Sequence, residues 1–120
     1  MSKFADVYLL PVKQVNIPAY RRMAEAAGPI FMKHGALRYR EYVAADLEVQ
    51  EVVPFPNVIT LQPGETLVYA AVEFASKEAR DAAMAKIMED PELKASMEGQ
   101  EPPFDYKRMV YGGFSVIVDL

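Results

Sequence analysis

The C-terminal segment limits the folds open to this chain more than any other part of it. Residues 104–120 read FDYKRMVYGGFSVIVDL, an aromatic and apolar stretch with two consecutive glycines. Such a segment is typical of a β-strand, and its apolar side chains require cover on both faces. Glycine inside a strand weakens pairing and usually marks a bulge or a close approach of the backbone, so Gly112 and Gly113 predict a bend or a change of register in this strand. The chain therefore needs a sheet that is packed on two sides.

The rest of the chain repeats one order of elements twice. The first half predicts a strand over 4–12, a helix that runs to about His34 and a strand over 36–47. A proline at position 29 lies inside that helix and predicts a kink or a break, because its nitrogen cannot donate to the preceding turn. Gly35 suits the left-handed conformation that ends a helix.

The second half has the same order with clearer boundaries. It predicts a strand over 66–74, a helix over 77–89, a short helix over 91–97 and the terminal strand. Ser76 is a good N-cap for the first of these helices, and the aspartate and proline that precede and open the second favour a helix start as well.

The segment between the halves, residues 48–65, contains three prolines and one glycine around the apolar run VITL at 58–61. It predicts a loop with an edge strand. The whole order, βαβ then an edge strand then βαβ, is that of the ferredoxin-like split βαβ fold, an α+β class with an antiparallel sheet and helices on one face. A chain of 120 residues fits one such domain, residues 1–120, and leaves no room for a second.

Alternation along the predicted strands separates the two faces of the sheet. The more apolar set is assigned to the helices: Ala5, Val7, Leu9, Leu37, Tyr39, Glu41, Val43, Val68, Ala70, Val72, Phe74, Val110, Gly112 and Phe114. The opposite face carries tyrosines interleaved with charges of both signs, which suits packing on a second copy of the chain. The predicted residues of this homodimer interface are Tyr8, Arg40, Tyr42, Tyr69, Glu73, Met109 and Tyr111. An exposed face with incidental tyrosines is the simpler alternative.

Composition excludes several classes of partner and site. The net charge is −4, with 13 basic and 17 acidic residues scattered singly, so neither nucleic acid nor an anionic membrane is an expected partner. The chain has no cysteine and one histidine, His34, so we expect no disulfide, no metal site and no cofactor. The apolar run over 7–12 is too short and too closely flanked by charge for a signal peptide or a membrane span. These observations predict a cytoplasmic protein.

Glu41 is the anomaly of the helix-facing set, since an ionised carboxylate in a core is costly unless it is paired or reaches water. Two interpretations are open. A register shift of one residue would place Glu41 in solvent. If it points inward, the distance along the strand places it level with Met23 and within reach of Tyr20 on the first helix. His34 then lies at the far end, too distant to pair with Glu41, and its position in the last helical turn favours a capping role.

Three motifs are spread over both halves of the chain: GALRxxE at 35–41, EFxSKExRD at 73–81 and FDxKRMVYGGF at 104–114. Together they resemble the YbaA-like family of small bacterial proteins, a domain of unknown function. The resemblance covers roughly residues 4–119 and departs at 50–62, where this chain carries additional prolines. It implies the dimeric α+β barrel superfamily, in which two ferredoxin-like subunits pack sheet to sheet. Similar barrels include cofactor-independent monooxygenases, isomerases, haem enzymes and proteins without known activity, so the fold does not choose a reaction.

Three functions are compatible with these residues. The first is a homodimer that binds a small apolar or aromatic molecule between sheet and helices. The second is a cofactor-independent monooxygenase or isomerase with Glu41 as the catalytic base and tyrosines or Arg38 stabilising an oxyanion. The third is a structural or regulatory dimer whose core is filled by its own side chains. The residues predicted to form the cleft are Tyr20, Phe31, Arg38, Tyr39, Glu41 and Phe74.

Overall fold

The computed structural model describes residues 2–120, and these form one four-stranded antiparallel sheet with three α-helices. In chain order the elements are β1 (Phe4–Lys13), α1 (Ile17–Lys33), β2 (Arg38–Val43), β3 (Glu65–Phe74), α2 (Lys77–Glu89), α3 (Pro91–Met97) and β4 (Val110–Ser115). The strand order across the sheet is β2-β3-β1-β4. Each half thus contributes one central and one edge strand, which is the split βαβ arrangement that the sequence predicts.

Helix boundaries in the second half follow from local chemistry. The Ala79 N–H donates to Oγ of Ser76 (3.0 Å), and the Glu92 N–H donates to Oδ1 of Asp90 (2.8 Å), so α2 and α3 both have capped N-termini. Pro91 occupies the start of α3, where a missing N–H costs nothing. The predicted bounds of both helices are confirmed.

Helix α1 runs without interruption from Ile17 to Lys33, although Pro29 lies inside it. The break that the proline predicts is absent. Pro29 and Glu25, whose carbonyl loses its partner, both lie on the exposed side of the helix, so water can satisfy that carbonyl. The chain leaves the helix at Gly35, as predicted, with a φ of +116°. Among residues 2–120 no helix is long and apolar enough to cross a membrane.

The segment between β2 and β3 forms no strand. The prediction of an edge strand over 58–61 is wrong: residues 55–57 form a short 3-10 turn, and Ile59 is buried in the loop that follows. β2 also ends earlier than predicted, at Val43. The N–H groups of Val58 and Ile59 both donate to the Phe55 carbonyl (2.9 Å each), so they are not available to a strand ladder.

The core lies between the sheet and the helices, in two clusters that both contact Tyr8. One contains Leu10, Val12, Tyr20, Ala24 and Val68, and the other contains Ala36, Val72, Phe74, Ala83 and Ile87. β3 therefore turns its predicted set of side chains toward the helices. β2 does the same with Tyr39, which packs beside the second cluster.

The faces of β1 and β4 are the reverse of the prediction. β1 turns a different set of side chains toward the helices: Phe4, Asp6, Tyr8, Leu10 and Val12. Tyr111 of β4 lies on the same face as Tyr8, because the two residues are paired across the strands. Met109 packs on the first cluster and so lies on this face as well. The residues of β1 and β4 that were predicted to face the helices therefore lie on the other face of the sheet, the open face. They are Ala5, Val7, Leu9, Val110, Gly112 and Phe114.

A buried ion pair explains the reversal. Asp6 is 1% exposed, and Nη1 of Arg80 on α2 lies 2.5 Å from its Oδ1, to which the Tyr111 hydroxyl also donates (2.7 Å). A lone carboxylate is expected on an open face, because burying an unpaired charge is costly. The partner that removes this cost lies 74 residues away in the sequence, so alternation along β1 cannot show it.

The double glycine of β4 causes no bulge, since β4 pairs with β1 in unbroken register from Val110 to Ser115. Gly113 instead permits a close approach, because a Cβ at this position would overlap the Phe4 ring. The predicted change of register is thus wrong, and the glycine at 113 serves instead to make room for the Phe4 ring.

Candidate functional site

Four helix-facing side chains form a row across the sheet. Glu41 of β2 pairs with Ala70 of β3, Ala70 pairs with Tyr8 of β1, and Tyr8 pairs with Tyr111 of β4. Ala70 has the shortest side chain in the row, so a gap remains between Glu41 and Tyr8. A cavity of about 280 Å³ occupies this gap.

The cavity is bounded on its other sides by the three helices and by the segment that precedes β4. Apolar side chains predominate in its wall, among them Met23, Phe31, Leu93, Met97 and Phe104. The few polar groups are a carboxylate, tyrosine hydroxyls and the side chain of Ser96. An apolar space with a small number of converging polar groups is typical of a small-molecule site.

Two phenols hold the Glu41 carboxylate at one end of this cavity. The Tyr20 hydroxyl donates to Oε1 (2.7 Å), and the Tyr39 hydroxyl donates to Oε2 (2.7 Å). Of the two interpretations of Glu41, the inward one therefore holds, and the contact with Tyr20 is the one that this interpretation predicts. Burial above all, and then the charge of Glu41, raise the pKa of both phenols well above the usual range, so both stay protonated and can donate. Each carboxylate oxygen retains a lone pair for a ligand.

Two residues of helix α1 hold the Tyr39 ring in position. It comes close to β2 at Gly28, where an added Cβ would lie 3.2 Å from Cδ1 of Tyr39. Phe31, almost one turn further along, packs on the same ring with 5.4 Å between the ring centroids. The position of Tyr39, and through it that of Glu41, is thus set by the packing of α1 on the edge strand.

A larger groove of about 860 Å³ lies outside the cavity, between α1 and the edge of β2. Tyr20, Tyr39 and Glu41 border both spaces, so the carboxylate stands at their boundary. Arg38 and Arg40 border the outer groove at the edge of the sheet, although by alternation their side chains rise from the face opposite to that of Tyr39 and Glu41.

Most of the predicted cleft residues come together. Those that border the inner cavity are Tyr20, Phe31, Tyr39 and Glu41. Arg38 is exposed on the outer groove instead, and Phe74 is fully buried in the second core cluster behind the cavity. Tyr8 was not identified from the sequence as a cavity residue, because it was assigned to the face of β1 away from the helices. The larger side chains of the set that contains Tyr8 were the signal that could have shown that this set faces the core.

His34 lies at the end of α1, away from the cavity lining. Its Nε2 is 2.6 Å from Oδ2 of Asp90, and Nζ of Lys33 is 2.8 Å from the same oxygen. Hydrogen bonds from Lys33 and His34 hold the pKa of the Asp90 carboxyl well below its usual range. The contact ties the end of α1 to the start of α3. In the described part of the chain no group of three or more acidic or histidine side chains is arranged to hold a metal ion.

The face of the sheet away from the helices is partly open. The loop between β2 and β3 covers one end of it. Exposed on this face are Tyr42 (46%), Tyr69 (39%), Val110 (47%) and Phe114 (59%). The predicted interface residues that lie on this face are Arg40, Tyr42, Tyr69 and Glu73. The other three, Tyr8, Met109 and Tyr111, face the helices instead, because the faces of β1 and β4 are reversed.

Comparison with known proteins identifies the family. The model of a family described as "Protein of unknown function (DUF1428)" matches residues 3–106. The chain belongs to this family. The protein YbaA of Escherichia coli K12, described as uncharacterized, is 41% identical to this DUF1428 chain over 117 residues, which are 98% of both proteins. The resemblance carried by the three motifs is confirmed.

Solved structures similar to this DUF1428 protein are more distant in sequence. A dimeric ferredoxin-like protein from an uncultured marine organism aligns over 100% of both chains with a TM-score of 0.62 and 10% identity. SnoaB of Streptomyces nogalater, described as a cofactor-independent oxygenase, aligns over 100% of this chain and 98% of its own, with a TM-score of 0.57 and 13% identity. At such identities the likeness shows the fold alone. It confirms the ferredoxin-like α+β class.

Proposed function

We propose that this protein is a cytoplasmic homodimer that binds a small, neutral aromatic or apolar molecule in the inner cavity. The observation that carries the proposal is the setting of Glu41, a carboxylate between two phenol donors at the edge of an otherwise apolar space of about 280 Å³. This volume is at the lower end of small-molecule sites, so a ligand of one or two rings fits. The ligand supplies an O–H or N–H from which Glu41 accepts a hydrogen bond.

Charge restricts the ligand further. Glu41 brings a negative charge to a space with mostly apolar walls, and two like charges a few ångströms apart at an effective dielectric constant of about 20 repel by roughly 4 kcal/mol. Carboxylic acids, which are ionised at neutral pH, are therefore poor ligands. Neutral phenols and alcohols satisfy the carboxylate without this cost.

Binding of 4-ethylphenol tests the proposal, with 4-ethylbenzoate as a ligand of similar shape and the wrong charge. Calorimetry gives the affinity, and thermal unfolding gives an independent readout. At ten times its Kd the phenol should stabilise the protein by about 1.4 kcal/mol and raise Tm by about 4–8 °C. The benzoate should leave Tm unchanged. Equal binding of the two ligands would contradict the assignment of Glu41.

A variant of Glu41 locates the bound molecule. Glu41→Gln should weaken binding of 4-ethylphenol by about tenfold or more, because a hydrogen bond to a charged group contributes about 1.5–3 kcal/mol. Glu98→Gln removes an exposed carboxylate just after α3 and should bind like wild type. Absence of phenol binding in wild type would favour the structural or regulatory dimer instead.

The homodimer rests on the open face of the sheet. Arg40 and Glu73 carry opposite charges there, and neither has an ion-pair partner within residues 2–120, so a twofold axis can pair them between copies around the exposed aromatic side chains. A similarly folded protein is described as a dimeric ferredoxin-like protein. Sedimentation should give twice the mass of one chain, and a stable monomer would contradict this part of the proposal. Cell fractionation tests the cytoplasmic location.

The same geometry supports a second candidate, cofactor-independent proton transfer of the isomerase or monooxygenase type. The favouring observation is that Glu41, which can act as a base, and the phenols, which can donate to an oxyanion, border one cavity. SnoaB, which shares the fold, is described as a cofactor-independent oxygenase. Exchange of the α-protons of 2-tetralone for deuterium, followed by NMR, should then be faster with wild type than with Glu41→Gln. Retained binding without exchange in either protein would exclude the enzyme.

A further inference from the structure

The Tyr8 hydroxyl is a polar group of the cavity that the proposal above does not use. Tyr8 lines the cavity, yet its hydroxyl has no hydrogen-bond partner among residues 2–120, whereas the hydroxyls of Tyr20, Tyr39 and Tyr111 all donate to carboxylates. No enclosed side-chain oxygen in this range lacks a partner. The Tyr8 hydroxyl is therefore not sealed by protein and is accessible for a bond to a ligand.

The Tyr8 ring is held firmly in place. It packs against Tyr111 with 4.9 Å between the ring centroids. The Tyr111 hydroxyl donates to Asp6 (2.7 Å) and accepts from Arg80 (2.8 Å), so a buried ion pair anchors the stack. Burial first, and then the charge of Asp6, raise the pKa of Tyr8 well above its usual range. The Tyr8 hydroxyl thus remains protonated and can donate.

Pairing in the sheet sets the distance between the backbones of Tyr8 and Glu41. Both are paired with Ala70, one from each side, and all three side chains rise from the same face. Two strand spacings of about 4.8 Å separate the backbones of Tyr8 and Glu41 by about 10 Å. The methyl group of Ala70 leaves the space between them free.

We propose that Tyr8 is the specificity-determining donor of this site, and that the ligand is an aromatic ring that carries a hydrogen-bond acceptor in addition to its donor. Glu41 accepts from the ligand hydroxyl while Tyr8 donates to the second oxygen of the ligand. The proposal rests on the proposed function and names its ligand class.

Calorimetry with two probes separates the two functional groups. 4-Hydroxyacetophenone has both the donor and the acceptor, and 4-ethylphenol has the donor alone. At a pH that keeps both phenols neutral, wild type should bind 4-hydroxyacetophenone about tenfold more tightly than 4-ethylphenol, since one additional hydrogen bond is gained.

The variant Tyr8→Phe should lose that tenfold advantage and bind 4-ethylphenol like wild type. Because the hydroxyl bonds to no protein group, its removal should leave Tm in the absence of ligand unchanged. A change in affinity can then be assigned to the lost hydrogen bond and not to a loss of stability. Tyr106→Phe is the matched control, since Tyr106 also borders the cavity and should show the wild-type preference. Glu41→Gln should weaken binding of both probes together.

The outcomes separate this inference from the function on which it rests. If 4-ethylphenol binds and Tyr8→Phe leaves the preference for 4-hydroxyacetophenone intact, the role of Tyr8 is refuted while the binding function stands. Loss of the preference in Tyr106→Phe instead of Tyr8→Phe refutes it as well. If no probe binds to wild type, the proposed function itself fails and this inference fails with it.

Discussion

The buried ion pair between Arg80 and Asp6 gives the sharpest prediction on stability. Arg80→Met keeps much of the apolar length of the side chain but removes the guanidinium, whose Nη1 lies 2.5 Å from Oδ1 of Asp6. Asp6 is 1% exposed, so its carboxylate would stay buried without a cation. We expect the free energy of unfolding to fall by about 3–5 kcal/mol, the usual cost of breaking a buried pair from one side.

Two further contacts support this magnitude. The Arg80 guanidinium lies 4.6 Å from the centroid of the Phe4 ring, and a partly desolvated cation–π contact contributes about 0.5–2 kcal/mol. Asp6 would keep only the bond from the Tyr111 hydroxyl. When both charges are removed, no unpaired charge stays buried. The double variant Arg80→Met, Asp6→Asn should therefore recover at least half of the lost free energy of unfolding.

Urea unfolding followed by circular dichroism measures the change at constant m value. For 120 residues, a loss of 3 kcal/mol corresponds to a fall in Tm of about 10 °C. Arg21→Met is the matched control, because the Arg21 side chain is 80% exposed in a surface pair with Glu25 and its loss should stay within about 0.5 kcal/mol. Equal effects of the two arginine substitutions, or strictly additive effects of the Arg80 and Asp6 substitutions, would refute the reasoning.

Three other outcomes follow from contacts described above. Gly113→Ala should lower the free energy of unfolding in urea by about 1–3 kcal/mol, because the added methyl group overlaps the Phe4 ring, whereas Gly112→Ala, which meets only ordinary contacts, should change it by less than about 1 kcal/mol. Asp90→Asn should lower Tm at neutral pH. Since the folded pKa of this carboxyl is lowered, its contribution is complete above the unfolded value of about 4 and is lost as the pH falls through the folded value. The Tm difference should shrink on acidification, and a constant difference would contradict the pairing. Tyr69→Asp should convert the dimer to a monomer in sedimentation velocity, and an unchanged mass would move the interface elsewhere.

The parts of the fold that the sequence predicts well have local causes. Ser76 and the Asp90–Pro91 pair mark helix starts through the chemistry of a few neighbouring residues, and α2 and α3 begin where these residues predict. The level of Glu41 beside Tyr20 could also be predicted, because it depends only on the rise per residue in a strand and in a helix.

The parts that the sequence could not predict have distant causes. Both alternate sets of β1 are apolar, and Asp6 marks the wrong one as exposed because its partner Arg80 lies 74 residues away. That error also hid Tyr8 from the list of cavity residues. The cavity itself arises from three strands and three helices that meet around a short side chain, which no single segment displays.

The size of the side chain at position 70 affects the volume of the inner cavity. Ala70 is 4% exposed and lies between Glu41 and Tyr8 in the pairing across the sheet. Valine or leucine suits a central strand at least as well as alanine, so a larger residue there would take up part of the empty space while the strand pairing and the open face of the sheet stay as they are. The size of the ligand can thus vary at this position independently of assembly.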